Sequence, residues 1–136
     1  MSKRGSSIYH SIVGGYNNTF QDVSINKSLV IGENLLYNTN NSYSTNIKTS
    51  ILVGKELNFA GSSSTKVQSM AVFGQFNNKI LPTDERLIVG AGTSDTDRRD
   101  CFKTGYDGTD SYITVGSTKV TESQLIQLLA MLNPSS

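Results

Sequence analysis

The sequence predicts an all-β fold in which stacked coils form a β-roll or β-helix-like repeat shaft, followed by a β-hairpin module and a short C-terminal helix. A strand ending in glycine recurs four times at intervals near twenty residues, an Asp-Gly pair separates two later strands, and a leucine-rich segment closes the chain. We place the shaft at residues 1–82, the hairpin module at 83–120 and the helix at 121–136. A chain of 136 residues has room for one domain or for an elongated body with a small appendix.

The net charge of the chain does not indicate a particular class of binding partner. Its net charge is +1 with 17% charged residues, so we expect neither a nucleic-acid-binding surface nor a basic membrane patch. No apolar run approaches the roughly 20 residues that span a bilayer, so membrane insertion is not expected. Ser, Thr and Asn make up 44 of the 136 residues, which is typical of short strands alternating with tight turns. Because a monomer of this size would have a thin core, we expect partner chains to bury part of its apolar surface.

One pattern occurs in four aligned copies. It consists of an apolar residue, two variable residues, Ser or Met, three mostly apolar residues and glycine. The leading apolar residues are Ile8, Ile25, Ile47 and Val67, and the glycines are Gly15, Gly32, Gly54 and Gly74. Weaker copies centre on Gly90 and Gly116. The glycine spacings of 17, 22, 20, 16 and 26 residues are uneven, so the pattern predicts stacked coils with insertions between strands.

The glycines of the pattern have two candidate roles. Each forms a turn that needs positive φ, or it allows two backbones to approach closely. Asparagine tolerates left-handed backbone, so we expect turns at the asparagines that follow the strands, namely Asn17, Asn18, Asn34, Asn58, Asn77 and Asn78.

Both faces of the repeated strands are apolar, which predicts strands covered on both sides. One face carries Ile12, Leu29, Ile31, Ile51, Val53, Ala71, Phe73, Leu87, Val89, Ile113 and Val115, and the other carries Val13, Val30, Leu52, Val72 and Ile88. A thin coil covers one face with its own second strand, so further copies of the chain around a common axis would cover the other. We assign Val30, Leu52, Val72 and Ile88 to packing between chains.

Two polar inserts, residues 38–46 and 61–66, separate the repeats. They are interpreted either as solvated connections or as receptor-contact loops. In the second interpretation Tyr37 and Tyr43 are the candidates for stacking on a sugar.

The part of the sequence after Pro82 has a different character. Asp107-Gly108 predicts a hairpin between two strands. The charged residues Asp95, Asp97, Arg98, Arg99 and Asp100 suggest either a hydrogen-bonded Asp/Arg turn or a calcium loop. The turn is favoured, because the alternating ligands and closing glutamate of an EF-hand are missing.

The segment from Glu122 to Leu132 predicts a helix with Thr121 as N-cap and Gln124 completing a capping box. Asn133-Pro134 would stop it. The apolar stripe consists of Leu125, Leu128, Leu129 and Leu132. A helix of about three turns is too short to be stable alone, so we assign these leucines to packing between copies at the axis.

The stretches "SIVGGYNN", "SLVIGEN", "SILVGKEL" and "AVFGQFNN", followed by "LIVGAGTSDTDRRDCFKTGYDG" and "ITVGSTKVTESQLIQLLAML", resemble trimeric bacteriophage fibre proteins. Repeats of this kind are similar to those in the heads of trimeric autotransporter adhesins. The resemblance implies a homotrimeric tail or head fibre or spike that is assembled in the host cytoplasm, becomes part of the virion with other virion proteins, and contacts a host-surface glycan. An adhesin-like surface-binding protein is the alternative.

An enzymatic function is not predicted. The chain has one histidine and one cysteine, and no nucleophile motif, metal-ligand spacing or cofactor motif is recognisable. His10 occupies the same repeat position as Lys27, Thr49 and Ser69, so it is interpreted as a variable strand position. Three copies of His10 holding an ion on a trimer axis are a minor alternative. The acidic residues lack the fixed pairing of a glycan depolymerase, which stays a minor alternative. Cys101 cannot form an internal disulfide and is expected to be a small, buried or half-buried apolar residue.

Overall fold

The computed structural model describes residues 7–21, 23–38, 45–58, 66–78 and 85–134, and these residues are mostly β with one helix at the C-terminal end. The prediction of a mostly β chain with a short C-terminal helix is confirmed. The described elements are β1 Ser7–Tyr9, β2 Ile12–Tyr16, β3 Thr19–Gln21, β4 Val23–Asn26, β5 Leu29–Glu33, β6 Leu36–Asn38, β7 Thr45–Lys48, β8 Ile51–Lys55, β9 Lys66–Gln68, β10 Ala71–Gln75, β11 Glu85–Ala91, β12 Asp100–Tyr106, β13 Ser111–Val115, β14 Thr118–Thr121 and α1 Glu122–Leu132.

Successive strands of the repeats alternate between sheets. A four-stranded parallel sheet contains β1, β4, β7 and β9, and β2, β5, β8 and β10 lie side by side in the parallel part of an eight-stranded sheet. The strands β3 and β6 form a two-stranded parallel sheet. The chain therefore passes once through each of the two larger sheets in every repeat. We call the part of the chain that makes both passages a coil. The coils are numbered 1 to 4 by the glycine that each contains, namely Gly15, Gly32, Gly54 and Gly74.

The strand register reproduces the sequence alignment. Ile25 pairs with Ile8 on one side and Ile47 on the other, and Ile47 also pairs with Val67. Gly15, Gly32, Gly54 and Gly74 pair in the same way, and the fifth copy joins them because Gly74 pairs with Gly90. The register is therefore kept at glycine spacings that range from 16 to 22 residues.

Close backbone approach explains the stacked glycines. A Cβ added to Gly32 would lie 1.9 Å from the carbonyl oxygen of Gly54, and one added to Gly54 would lie 2.0 Å from that of Gly74. No side chain fits at such distances, so each position requires glycine. Positive φ is a second requirement only at Gly15 (+115°) and Gly74 (+98°) among the glycines of coils 1 to 4.

Left-handed residues form two corners in every coil. The first corner, between the strands of the two larger sheets, is formed by His10, Lys27, Thr49 and Ser69, and the second, after the glycine strand, by Asn17, Asn34, Glu56 and Phe76. Left-handed backbone was expected at asparagine, but it occurs equally at Glu56 and Phe76 (φ +53° and +43°). His10 is a corner residue and not the strand residue predicted from the sequence. Hydrogen bonds between adjacent coils hold the corners in this conformation. For example, Lys27 N donates to Tyr9 O at 3.1 Å.

The core lies between the four-stranded sheet and one face of the eight-stranded sheet. Ile25, Ile47 and Val67 come from the first sheet, and Val30, Leu52, Val72 and Ile88 come from the second. Leu35 and Leu57, which follow the second corner of coils 2 and 3, also belong to this cluster. All of these side chains are at most 1% exposed in the single chain.

The pairing becomes antiparallel after β11. The strand β11 still pairs in parallel with β10, whereas β11 to β14 pair consecutively as antiparallel neighbours. The parallel sheet therefore extends past the boundary predicted at residue 82. The hairpin predicted at Asp107-Gly108 joins β12 and β13. Gly116, the predicted sixth copy, lies in the turn between β13 and β14 with φ +59°, so it does not belong to the glycine stack.

The C-terminal helix α1 begins and ends as predicted. Gln124 N donates to the Thr121 hydroxyl at 3.3 Å, and Thr121 N donates to Gln124 Oε1 at 3.0 Å, which completes the capping box. Asn133 is the C-cap and donates its N–H to Leu129 O. Within the described ranges, no helix has the length and apolar character needed to cross a membrane.

Candidate functional site: an apolar outer face

The eight-stranded sheet carries two apolar rows on the side that faces away from the core. Residues that pair across neighbouring strands project to the same face, so the register defines both rows. The first row is Gly14, Ile31, Val53, Phe73, Val89, Phe102 and Val115, and the second is Ile12, Leu29, Ile51, Ala71, Leu87, Thr104, Ile113 and Val120. We call these rows the outer face. Neither row contains a charged residue.

The outer face is not covered by the described part of the chain. Ile12 is 67% exposed and Ile51 is 43% exposed, and Ile31, Phe73, Ile113 and Val115 are also classed as exposed. Most of the remaining apolar residues in the rows are half-buried by their neighbours. A contiguous apolar surface of this kind marks a contact with another molecule more often than a solvated surface.

A polar row borders the outer face beyond the glycine stack. Tyr16, Glu33, Lys55 and Gln75 occupy successive strands in register. Lys55 Nζ lies 3.3 Å from Glu33 Oε1, and both side chains are about half exposed. The pair stabilises little because it is solvated. Its position gives the apolar rows a charged rim, which resembles the anatomy of a protein interface.

The structure reverses the sequence-based assignment of the two strand faces. Val30, Leu52, Val72 and Ile88 were assigned to packing between chains, but all four have 0% exposure in the single chain. The first corner of each coil folds the four-stranded sheet over them, so their partners are Ile25, Ile47 and Val67. No surface remains on these four side chains for a second chain to contact. The face available to a partner is therefore the outer face.

The predicted apolar stripe of helix α1 is present and has no partner within the described chain. Leu125, Leu128, Leu129 and Leu132 are 42 to 67% exposed, and no residue of α1 is buried. The helix follows β14 directly and has few contacts with the sheet. An isolated helix of eleven residues is marginally stable in water, so this one needs packing that the described part of the chain does not provide.

Two ladders of polar side chains connect the coils, and only part of them could be recognised from the sequence. Ser28 N donates to Ser11 Oγ at 3.1 Å, and Ser50 N donates to Ser28 Oγ at 3.2 Å. These serines occupy the Ser-or-Met position of the pattern, for which composition alone suggested no role. In the second ladder, Asn17 Nδ2 donates to Asn34 Oδ1, and Asn34 Nδ2 donates to Glu56 Oε1, both at 2.8 Å.

The Asp/Arg turn predicted from residues 95–100 is present, and it packs against the second corner of coil 4. Arg98 Nε donates to Asp95 Oδ1 at 2.7 Å, and its guanidinium donates to Glu56 O at 2.8 Å while lying over the Phe76 ring. Arg99 is paired with Asp97. Sequence reasoning did not find the contacts of Arg98 with Glu56 and Phe76.

The carboxyl groups of this turn are affected differently by their surroundings. Hydrogen bonds from the Thr93 hydroxyl and from Arg99 lower the pKa of Asp97 below its ordinary value. Burial raises the pKa of Asp100, although Asp100 Oδ1 accepts a hydrogen bond from Asn78 N at 3.0 Å. Among the described residues, no group of three or more His, Cys, Asp or Glu side chains could hold a metal ion.

The remaining residues considered in the sequence analysis do not form a common site among the described residues. Tyr37 lies in β6, where its backbone pairs with Phe20, but its side chain is outside the described part of the structure. Tyr43 lies outside the described residues altogether. His10 is exposed at a corner. Cys101 is exposed on β12, contrary to the expectation of a buried or half-buried thiol.

Comparisons of the chain with protein-family models, with curated proteins and with solved structures gave no match. The outer face, the exposed helix and the coil contacts are therefore the observations from which a function is proposed.

Proposed function

We propose that the chain is a structural subunit of a bacteriophage fibre or spike. Three copies assemble around a common axis, their coils form a β-roll or β-helix-like repeat shaft, and the assembly contributes to host-surface attachment. The parallel coils support the shaft, because equivalent residues of every coil pair in one register from Gly15 to Gly90. The sequence resemblance to trimeric phage fibres supports the virion role.

The observation that carries the proposal is the exposed, uncharged outer face. Ile12, Ile31, Ile51, Phe73, Ile113 and Val115 remain exposed in one chain. Complete burial of an Ile, Val or Phe side chain contributes about 1.5 to 3 kcal/mol. Three sheets that turn their outer faces inward would form a prism with a dry apolar interior, and the Glu33–Lys55 row would remain at its solvated rim.

Helix α1 provides a second contact between the same three copies. Its leucine stripe follows β14, the last strand of the sheet that carries the outer face. In a trimer the three stripes would bury one another at the axis, which supplies the packing that an eleven-residue helix lacks. One arrangement thus covers both apolar surfaces of the chain.

The assembly is tested by sedimentation equilibrium at micromolar concentration. The expected mass is three times 14.7 kDa, about 44 kDa. Ile51→Lys places a charge on the outer face and should yield smaller species with unchanged strand content by circular dichroism. Gln68→Lys is the matched control, because Gln68 is exposed on the four-stranded sheet, and it should remain trimeric. A folded wild-type monomer, or a dimer, would contradict the trimer.

Attachment is tested separately from assembly. The fluorescently labelled trimer is applied to a glycan array and to envelope fractions of candidate bacterial hosts, since multivalency strengthens weak individual contacts. Antibodies against the protein should label fibres on purified phage particles in electron micrographs. Labelling without glycan or envelope binding would leave a structural subunit and exclude attachment. An absence of labelling on particles that contain the protein would contradict the fibre location.

A further inference from the structure

We propose that the coil-1 end of the stack is a docking edge for one more coil. The occupant is a polypeptide segment that carries this chain's own strand–corner–strand pattern, with glycine in register with Gly15. This inference concerns the end of the stack, so it does not depend on the outer face or on the trimer.

The strands of coil 1 lie at the edge of every sheet they belong to. Sheet order places β1, β2 and β3 at one end of their sheets, and no described strand lies beyond them. In a parallel sheet, alternate residues of a strand bond to opposite neighbours. Ile12 N donates to Ser28 O and Tyr16 O accepts from Asn34 N, so these two residues face coil 2. The peptide groups of Val13 and Gly15 therefore point to the open side.

The burial of equivalent residues shows the effect of the missing neighbour. Ile8 is 52% exposed in coil 1, whereas its register partner Ile25 is 1% exposed and Ile47 is completely buried. A further coil would cover this end in the way that coil 1 covers coil 2.

Coil 1 also presents the pattern that a further coil must match. A Cβ added to Gly15 would lie 1.9 Å from Gly32 O, and the same relation holds for each later pair of coils. The residue stacked on the open side of Gly15 must therefore be glycine. The serine ladder runs in the same direction, because Ser28 N donates to Ser11 Oγ. Ser11 N is therefore placed to donate to the Oγ of a serine in the added coil.

The opposite end of the stack is closed, which gives the two ends different roles. Arg99 N donates to Phe76 O at 3.0 Å, Asn78 N donates to Asp100 Oδ1, and Arg98 lies over the Phe76 ring. These contacts satisfy the corner of coil 4, and the chain then turns into antiparallel hairpins. Repeat proteins need a cap at each end that meets solvent, and in the described residues coil 1 has none.

The test adds a coil to the full chain. A copy of residues 23–45 replaces residues 1–6, so that Ser7 follows the copy in the place of Asn46, its equivalent in the register. The matched control carries Gly32→Val in the copy only, which directs a side chain at Gly15 O. A second control carries Ile31→Val in the copy, a change that leaves the glycine stack intact. Amide hydrogen exchange is followed at Val13 and Gly15, with Ile12 as the internal reference.

The expected result is specific to the open edge. In the original chain the Val13 and Gly15 amides should exchange much faster than the Ile12 amide, which is bonded to coil 2. The extended chain and its Ile31→Val version should slow exchange at Val13 and Gly15 about tenfold or more. The Gly32→Val version should not.

Three outcomes would overturn the docking edge. These are protection of Val13 and Gly15 in the original chain, no protection in the extended chain, and equal protection in the Gly32→Val version. Sedimentation of the same samples reports the trimer independently, so failure of one proposal is distinguishable from failure of the other.

Discussion

The glycine stack predicts that one methyl group at the centre of the sheet lowers stability severely. In Gly54→Ala the new Cβ would lie 2.0 Å from Gly74 O. Carbon–oxygen contacts between strands are about 3.3 Å or longer, so coil 4 has to move away by about 1.3 Å at this point. The backbone hydrogen bonds on both sides of Gly54 would then exceed the usual upper limit of about 3.2 Å.

The magnitude follows from the bonds that are lost. Two buried backbone hydrogen bonds at about 1 to 3 kcal/mol each give a loss of about 2 to 6 kcal/mol. A small domain has only about 5 to 15 kcal/mol of unfolding free energy. At about 3 °C per kcal/mol for a chain of this size, the melting temperature should fall by about 6 to 18 °C.

Gly14→Ala is the matched control for Gly54→Ala. Gly14 has nothing within 4 Å of an added Cβ, and it stands in register with Ile31, where a larger side chain is already present. This change should be neutral or should stabilise by up to about 1 kcal/mol, because alanine restricts the unfolded chain. Both variants are unfolded in denaturant at one fixed protein concentration, since the stability of an oligomer depends on concentration. Equal midpoints for the two variants would refute the close-approach account of the stack.

Further predictions separate the core, the helix and the hairpin. Leu52→Asp should unfold the chain itself, whereas Ile51→Asp, one residue away on the outer face, should leave a folded chain that no longer assembles; a folded Leu52→Asp protein by circular dichroism would contradict the face assignment. Deletion of residues 121–136 should weaken the trimer in cross-linking and melting experiments without reducing strand content, and an undiminished trimer would exclude a clamping role for α1. A hydrogen bond from Lys119 lowers the pKa of Asp107 from 3.8 to about 2, so its stabilising effect is present above pH 3.8 and is lost as the pH falls towards 2. Asp107→Asn should remove this part of the acid sensitivity, and identical acid-unfolding profiles of the variant and the wild type would count against it.

Features with local causes could be predicted from the sequence. Asp107-Gly108 specifies a hairpin through its own turn preferences, and Thr121 with Gln124 specifies a helix start through bonds three residues apart. The coil register was also predictable, because Ile25 and Ile47 repeat at a fixed distance before glycine.

Features with long-range causes could not be predicted in the same way. Ile51 and Leu52 are equally apolar, so the sequence shows that both faces of the strand are apolar but not which face the chain itself covers. Glu56 and Phe76 are unusual in left-handed backbone, and they adopt it because adjacent coils impose the same corner on them. Arg98 closes this corner from 42 positions away, a separation at which the sequence carries no pairing signal.

The constant register of the coils makes the height of the stack independent of the number of residues in each repeat. Neighbouring strands are about 4.8 Å apart, so the five paired glycines from Gly15 to Gly90 span about 19 Å. The intervals between them range from 16 to 22 residues, yet every interval adds the same rise. Height along the stack therefore increases in whole strand spacings, whatever the number of residues between successive glycines. The height of such a stack is thus set by the number of register-paired glycines, and insertions or deletions between them leave it unchanged.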